Sequence, residues 1–241
     1  MGRPVLYEEI GWPDVEAYLK HDDRIMFVTG SCEQHGRHLS YATDYIIPYA
    51  IAKRVSEETG VLVPPPLCFG MSVHHMEFPG TITLQPETWV AVLQDVMRSL
   101  YHHGFRRVLL LNGHGGNRGP INVSLARVVN ELPDLQVKIG FWWEVPGVTE
   151  YIHEQFKGDE QHASGVETAL VLAIRPDVAR MERAEFQTYS PSIEFRYSAR
   201  HWRTNWPSGS VGVDPRMATA EQGQRIIDMA VARYVQELKS W

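Results

Sequence analysis

The chain has 241 residues, a formal net charge of −6 and a sequence isoelectric point near 6.0. This acidic balance argues against a nucleic-acid-binding protein, which would present a basic face. No apolar run approaches the ~18 residues of a membrane span, no signal peptide opens the sequence, and Cys32 and Cys68 give no disulfide framework, so we expect a reduced, cytoplasmic protein without a membrane partner.

Buried strands and helices alternate along the chain. The segment RIMFVTG (24–30) is short, apolar and ended by glycine, which is typical of a buried strand. A helix over 44–60 follows, with Asp44 as a potential cap and Gly60 at its end. The same reasoning predicts strands at 61–67, 105–113 and 135–143, helices at 86–104, 117–132, 163–174 and 218–241, and an irregular segment at 181–217.

This alternation predicts the fold class. Strand–helix–strand repetition without linkers or repeats indicates a single α/β domain over 1–241, built as a three-layer α/β/α sandwich with a central, mainly parallel sheet. In open parallel sheets, ligands bind beyond the carboxyl ends of the strands. Two polar clusters begin where a predicted strand ends, and this position favours a functional site.

The first cluster is GSCEQHGRHLSYATD (30–44), which contains Glu33, His35 and Asp44. Carboxylates and imidazoles are costly to bury unless they pair or bind a metal ion. Ligation without thiolate suits zinc, manganese or iron rather than a structural thiolate zinc site. The alternatives are a capped helix with a surface Glu and His, and a nucleophilic Cys32 thiol beside His35.

The second cluster is LLLNGHGGNRG (109–119), in which a buried strand leads His114 into a glycine turn. Glycines let a backbone turn sharply and approach a ligand closely, and His114 is a candidate metal ligand. One alternative is a phosphate cradle at a helix N-terminus, although the Lys and Ser/Thr of a P-loop are absent. The other is a simple glycine turn with an incidental histidine.

Further candidate residues follow other predicted elements. In DEQHASGVETAL (159–170), His162 precedes a helix and Glu167 lies among apolar residues, where a buried carboxylate needs a partner. An outward-facing Glu on an amphipathic helix is the alternative. His75 lies in a loop that a substrate could meet, and Trp143 ends a strand where it could form the wall of a pocket.

The order of these motifs resembles the creatininase (creatinine amidohydrolase) family. The segment 30–44 is similar to its E-Q-H-G-x-H-L-x-x-x-T-D signature, and FPGTITL (78–84), LNGHGGN (111–117), H-x-x-x-x-E-T (162–168) and GVDPRMATAEQG (212–223) match in the family's order. The resemblance covers roughly 5–235. It implies an α/β fold with two divalent metal ions, with zinc expected and manganese or iron as alternatives, and a homo-oligomer, commonly a hexamer.

The resemblance also implies a ligand set. By motif position, Glu33, Asp44 and His114 hold one ion, while His35 and Asp44 hold the second, so that Asp44 is the bridge. Creatininase itself has a Glu ligand two residues after the metal-binding His, where this chain has Gly116. The second ion is then held more weakly or with help from Glu167.

The substrate pocket departs from creatininase as well. A tryptophan that shelters creatinine shortly before the equivalent of His162 is missing, with Gly158 or a neighbour in its place, whereas Trp143 matches the family's other pocket tryptophan. Creatinine is therefore not the expected substrate. Relatives include formamide deformylases, a peptide-trimming hydrolase and a hydrolase of cyclic keto-inositols.

The implied reaction is hydrolysis of a C–N bond in a small amide, formamide or cyclic amide. A hydroxide bridging the two ions attacks the carbonyl carbon, and His162 gives the leaving amine a proton. His75 meets the substrate, and the turn Gly115–Gly116–Asn117 offers backbone N–H donors. The segment 181–217 closes the pocket or contacts another subunit. The alternatives are a metal-dependent hydrolase of a lactone or cyclic ketone, and a non-catalytic ligand-binding domain.

Overall fold

Three parallel strands form the central sheet, in the order β1 (Arg24–Thr29), β2 (Arg107–Asn112) and β3 (Gln136–Phe141). The computed structural model describes residues 5–157, 161–188 and 198–241. The predicted strand at 61–67 meets β1 only through isolated parallel bridges at Leu62 and Leu67. Residues 64–66 between them are prolines, which cannot donate to a ladder.

Helices cover both faces of this sheet. The structure has eight α-helices among the described residues: α1 (Trp12–Tyr18), α2 (Thr43–Thr59), α3 (Pro86–His103), α4 (Arg118–Glu131), α5 (Val148–Phe156), α6 (Gly165–Ile174), α7 (Ala199–Asn205) and α8 (Ala220–Lys239). Five were predicted to within two residues at each end. The other three are α1, α5 and α7, and each has at most nine residues, too few for a clear helical period. Within the described ranges, no helix has the length and hydrophobicity to cross a bilayer.

Alternate side chains of the strands enter two separate cores. Met26, Val28, Leu109 and Leu111 face one core, which α2, α5, α6 and α8 cover. The intervening side chains face the other core beneath α1, α3 and α4, and they are Ile25, Phe27, Val108 and Leu110. This period of two is the geometry of a strand buried on both sides. The predicted α/β/α sandwich is therefore confirmed.

The carboxyl ends of the strands meet at one edge of the sheet. Thr29, Asn112 and Phe141 are in register across β1, β2 and β3. The Thr29 hydroxyl also donates a hydrogen bond to Asn112 Oδ1 at 3.0 Å. The segments after these three residues therefore emerge side by side, and they carry most of the predicted site residues.

Gly113 fixes the end of β2 against the start of α2, and its replacement tests this contact. A Cβ atom at Gly113 would lie 1.9 Å from the backbone oxygen of Asp44 and 2.8 Å from the Pro48 ring. We expect Gly113→Ala to cost at least ~1–3 kcal/mol, the usual range for overpacking, and to lower the melting temperature. Gly119→Ala is the matched control, since a Cβ there meets nothing within 4 Å. Equal melting temperatures for the two variants, measured by calorimetry, would contradict this account of the contact.

Candidate metal centre

Four ionisable side chains from three segments converge beyond the sheet. Glu33 and His35 lie in the loop after β1, Asp44 is the second residue of α2, and His114 follows β2. Their exposed fractions are 0%, 1%, 2% and 4%, in that order. The structure thus brings together the four residues that the motifs singled out as ligands.

Glu33, Asp44 and His114 form the first donor set. His114 Nδ1 lies 3.0 Å from Asp44 Oδ2 and 3.3 Å from Glu33 Oε1. One oxygen or nitrogen from each of the three side chains falls within 4.8 Å of the others. Such a spacing leaves room for one cation among them, with two carboxylates and one imidazole as donors.

His35, Asp44 and Glu167 form the second donor set. His35 Nε2 lies 2.9 Å from Asp44 Oδ1 and 3.7 Å from Glu167 Oε1. Glu167 belongs to the first turn of α6, and its other oxygen accepts the Ala163 N–H at 2.6 Å. Asp44 faces both sets, with Oδ2 toward His114 and Oδ1 toward His35. A carboxylate shared in this way is the geometry of a bridging ligand.

The charge of the site fits divalent cations. Within the described ranges, Glu33 Oε1, Glu33 Oε2 and Asp44 Oδ2 are buried and have no hydrogen-bond partner. Burial acts to raise the pKa of Glu33, but the neighbouring His114 and His75 bring it well below its usual value. Buried carboxylates without partners are costly unless a cation compensates them. An oxygen and imidazole donor set without thiolate suits zinc or manganese.

Three aromatic rings stand above the first donor set. His162 Nδ1 and His75 Nε2 each lie 3.6 Å from Glu33 Oε1, and the two rings stack at 4.3 Å between centroids. Trp202 of α7 meets the His75 ring edge-on at 4.5 Å. Burial lowers the pKa of His162, and it lowers the pKa of His75 well below the usual value. Burial therefore favours the neutral form of both imidazoles.

A cavity of about 250 Å³ opens onto these groups. The predicted residues His75, Trp143, Gly115 and Gly116 line it, as do His162 and Glu167. Trp142 and Trp143 stand perpendicular to each other at one side, at an interplanar angle of 86°. His74 and Trp142 also line the cavity, together with Gln161 and Trp202, which the sequence did not single out.

In the glycine turn, Asn117 lies away from the cavity and Gly116 leaves no space for a side chain. Asn117, expected at the substrate, is buried, and its amide bonds the backbones of Gly30 and Met71. It holds the loops together and does not line the cavity. At Gly116, a Cβ would lie 2.3 Å from His114 Nε2 and 2.6 Å from the Met71 oxygen, so no side chain fits there. Glu167 instead supplies a carboxylate near His35.

Sequence reasoning missed Trp202. Trp202 lies on α7, inside the segment 181–217 that was expected to be irregular, although part of that segment does close over the site as expected. The aromatic content of HWRTNW (201–206) was the available signal.

Two other expectations concern Gly158 and Cys32, and Gly158 lies outside the described residues. The alternative of a Cys32 nucleophile loses support, because burial and the Glu33 carboxylate raise the pKa of this thiol.

Comparisons with known proteins identify the family of this chain. The creatininase family model, described as creatinine amidohydrolase, matches residues 8–238. Creatinine amidohydrolase of Pseudomonas putida is 31% identical, over 96% of this chain and 95% of the relative. A mycofactocin precursor peptide peptidase of Mycobacterium ulcerans (strain Agy99) is 30% identical, over 90% of this chain and 85% of the relative. A solved structure named "Creatininase Mn" superimposes with a TM-score of 0.87 at 28% identity, covering 99% of this chain and 98% of that one. This chain therefore belongs to the creatininase family of metal-dependent amidohydrolases.

Proposed function

We propose that this protein hydrolyses the C–N bond of a small amide, formamide or cyclic amide with a hydroxide held between two divalent metal ions. The observation that carries the proposal is the Asp44 carboxylate, whose two oxygens face two separate donor sets. The orphaned oxygens of Glu33 give further support, since they need a cation. A phosphate-binding or purely structural site would not gather three buried carboxylates in one place.

Each ligand has a role in this proposal. Glu33, Asp44 and His114 hold one ion, and His35, Asp44 and Glu167 hold the other. When bound, the ions lower the pKa of the shared water toward neutrality and polarise the carbonyl of the substrate. Glu167 helps to hold the second ion, for which creatininase has a Glu ligand at the position of Gly116. Zinc is the expected metal, and metal analysis of the purified protein decides between zinc, manganese and iron.

His162 moves the proton. Its Nδ1 faces the first donor set, 3.6 Å from Glu33 Oε1, and its ring also lies at the cavity wall. A neutral imidazole in this position can take a proton from the attacking water and then give it to the leaving nitrogen. This second step is needed because an amine leaves poorly as an anion.

The cavity favours a small, flat substrate. Its volume of about 250 Å³ is below the usual range of drug-sized pockets, and Trp142, Trp143 and Trp202 offer three aromatic surfaces. Such walls pack against planar amide or lactam groups. The backbone at Gly115 and Gly116 is bare of side chains, so the substrate can approach it closely. A peptide terminus is the larger alternative, as the name of the mycobacterial relative suggests.

Chelation followed by metal return tests the function. The metal-replete enzyme is screened with small amides, formamides and lactams, and a hydrolysed compound is retested after EDTA treatment. We expect hydrolysis to stop on chelation and to return with zinc or manganese, because the metal ions supply the nucleophile. Released amine or formate marks C–N cleavage, whereas a hydroxy or keto acid marks a lactone or cyclic ketone hydrolase. Ligand binding that survives chelation without turnover would favour a non-catalytic domain.

By family resemblance we propose a cytoplasmic homo-hexamer. Three large apolar side chains between 69 and 82 are at least two-fifths exposed, namely Phe69, Met76 and Ile82, and such surfaces are often covered by a partner subunit. Light scattering coupled to size-exclusion chromatography measures the assembly directly.

A further inference from the structure

Gln34 lies between the two predicted ligands Glu33 and His35, and its buried amide is fixed in one orientation. Its Oε1 accepts the Gly36 N–H at 2.9 Å, and its Nε2 donates to the Gly209 carbonyl at 3.1 Å. A backbone N–H can only donate and a carbonyl oxygen can only accept. The amide oxygen and nitrogen therefore cannot be exchanged. One N–H of Gln34 remains for the histidines above it.

The backbone carbonyl of Gln34 determines which ring nitrogen of His162 carries the proton. His162 Nε2 lies 2.8 Å from the Gln34 carbonyl oxygen, and a nitrogen so close to an acceptor carries the proton. Gln34 Nε2 is 2.9 Å from the same nitrogen, but it cannot donate to an N–H. In a neutral ring with the proton on Nε2, Nδ1 is unprotonated. That atom faces the Glu33 side of the site.

The side-chain amide of Gln34 determines which ring nitrogen of His75 carries the proton. Its remaining N–H points to His75 Nδ1 at 3.1 Å, which must accept and is therefore unprotonated. The proton of the neutral His75 ring is then on Nε2, the atom 3.6 Å from Glu33 Oε1. The two histidines thus present opposite atoms to the site, an acceptor from His162 and a donor from His75.

The segment around Gly209 packs closely against the Gln34 amide. Gly209 has φ of +80°, and a Cβ there would lie 2.0 Å from Gln34 Oε1. The neighbouring Val211 exchanges two backbone hydrogen bonds with His162, at 3.1 and 2.9 Å. The segment around Gly209 therefore holds both the amide and one of the rings that it meets.

We propose that Gln34 is a positioning residue that sets His162 as a proton acceptor and His75 as a hydrogen-bond donor toward the substrate. The catalytic consequence depends on the proposed function. His162 Nδ1 takes the proton of the bound water, and the hydroxide that remains forms the new C–O bond. The proton then passes to the leaving nitrogen as the C–N bond breaks, which restores the neutral ring. His75 Nε2–H donates to the carbonyl oxygen as negative charge develops on it.

Side-chain ¹⁵N NMR of histidine-labelled protein tests the tautomers, with signals assigned from His75→Gln and His162→Gln variants. In the zinc-loaded and metal-free wild type, we expect both rings to carry the proton on Nε2. Gln34→Glu replaces the donor with a group that only accepts, so His75 Nδ1 should become protonated while His162 stays unchanged. Gln34→Met removes the donor without adding charge, and His75 should then lose its single tautomer.

The kcat and the metal content of the same Gln34 variants are measured beside the NMR spectra. Both Gln34 variants should keep their metal and lose kcat by about 10- to 100-fold, as is usual for residues that orient groups of a metal site. Gln94→Met is the matched control, a buried glutamine on α3 away from the cavity, and it should keep the wild-type His75 and His162 signals. A proton on Nδ1 of either ring in the wild type, or an unchanged His75 in both variants, overturns the proposal. If the NMR spectra show the expected tautomers but the protein hydrolyses no amide, the proposed function is refuted and the role of Gln34 in positioning the two rings is not.

Discussion

Replacing Asp44 with alanine should remove both metal ions and abolish hydrolysis. This carboxylate lies 2.9 Å from His35 and 3.0 Å from His114, so each donor set loses a charged ligand in a single substitution. Glu33 and His114 would remain for one ion, and His35 and Glu167 for the other. Two donors per site are too few to hold a catalytic ion tightly, since such sites use three protein ligands. Mass spectrometry of metal content and an assay on the cognate amide measure the two losses.

The stability of the variant separates ligand loss from unfolding. The wild type should melt at a lower temperature after EDTA treatment, because bound metal stabilises the folded state by mass action. Asp44→Ala should melt at the same temperature with and without EDTA. Asp228→Asn is the matched control, since that carboxylate is 44% exposed and pairs with Arg54 on the surface. Near-full occupancy of either site in Asp44→Ala would rule out the bridging role.

Replacing His162 with alanine should leave the metal in place and slow turnover. The ring lies beside the proposed metal ligands, and it belongs to neither of the two donor sets that share Asp44. Loss of a general acid–base group usually lowers the rate by roughly 10²–10⁴-fold. The effect should fall on kcat more than on KM, because proton transfer belongs to the transition state.

A matched control and a rescue experiment accompany the His162→Ala variant. His153→Ala removes an exposed histidine of α5 and should keep wild-type kinetics. Added imidazole should restore part of the activity of His162→Ala, because a free base can enter the space that the ring leaves. Unchanged turnover of a cognate amide would exclude the proton-transfer role, whatever the metal content.

The sequence predicted those parts of the site that depend on local pattern. Glu33, His35 and His114 could be found because each follows a buried strand, and parallel strands end at a common edge. Asp44 could be found because a carboxylate beside a helix start, close after such a strand, suits either a cap or a ligand. The family signature then ordered these residues into two sets, and the structure places them within reach of one another.

The remaining features depend on contacts between distant segments. Trp202 reaches the site because a seven-residue helix packs over His75, and such a short helix leaves no periodic signal. Asn117 follows a strand, as the candidate ligands do, but its side-chain amide is hydrogen-bonded to the backbones of Gly30 and Met71. Glu167 looked equally suited to an outward helix face, and only the packing of α6 turns it toward His35. The extent of the single domain over 1–241 stays a prediction.

The crowding at Gly116 limits how this scaffold can be re-engineered. A glutamate introduced there would need its Cβ inside the space of His114 and the Met71 backbone. Grafting the carboxylate of creatininase onto this turn would therefore demand a concerted redesign of the neighbouring loop. A laboratory lineage that introduced this glutamate alone would first have to relieve its clash with the Met71 backbone, which, unlike a flexible side chain, cannot simply rotate away.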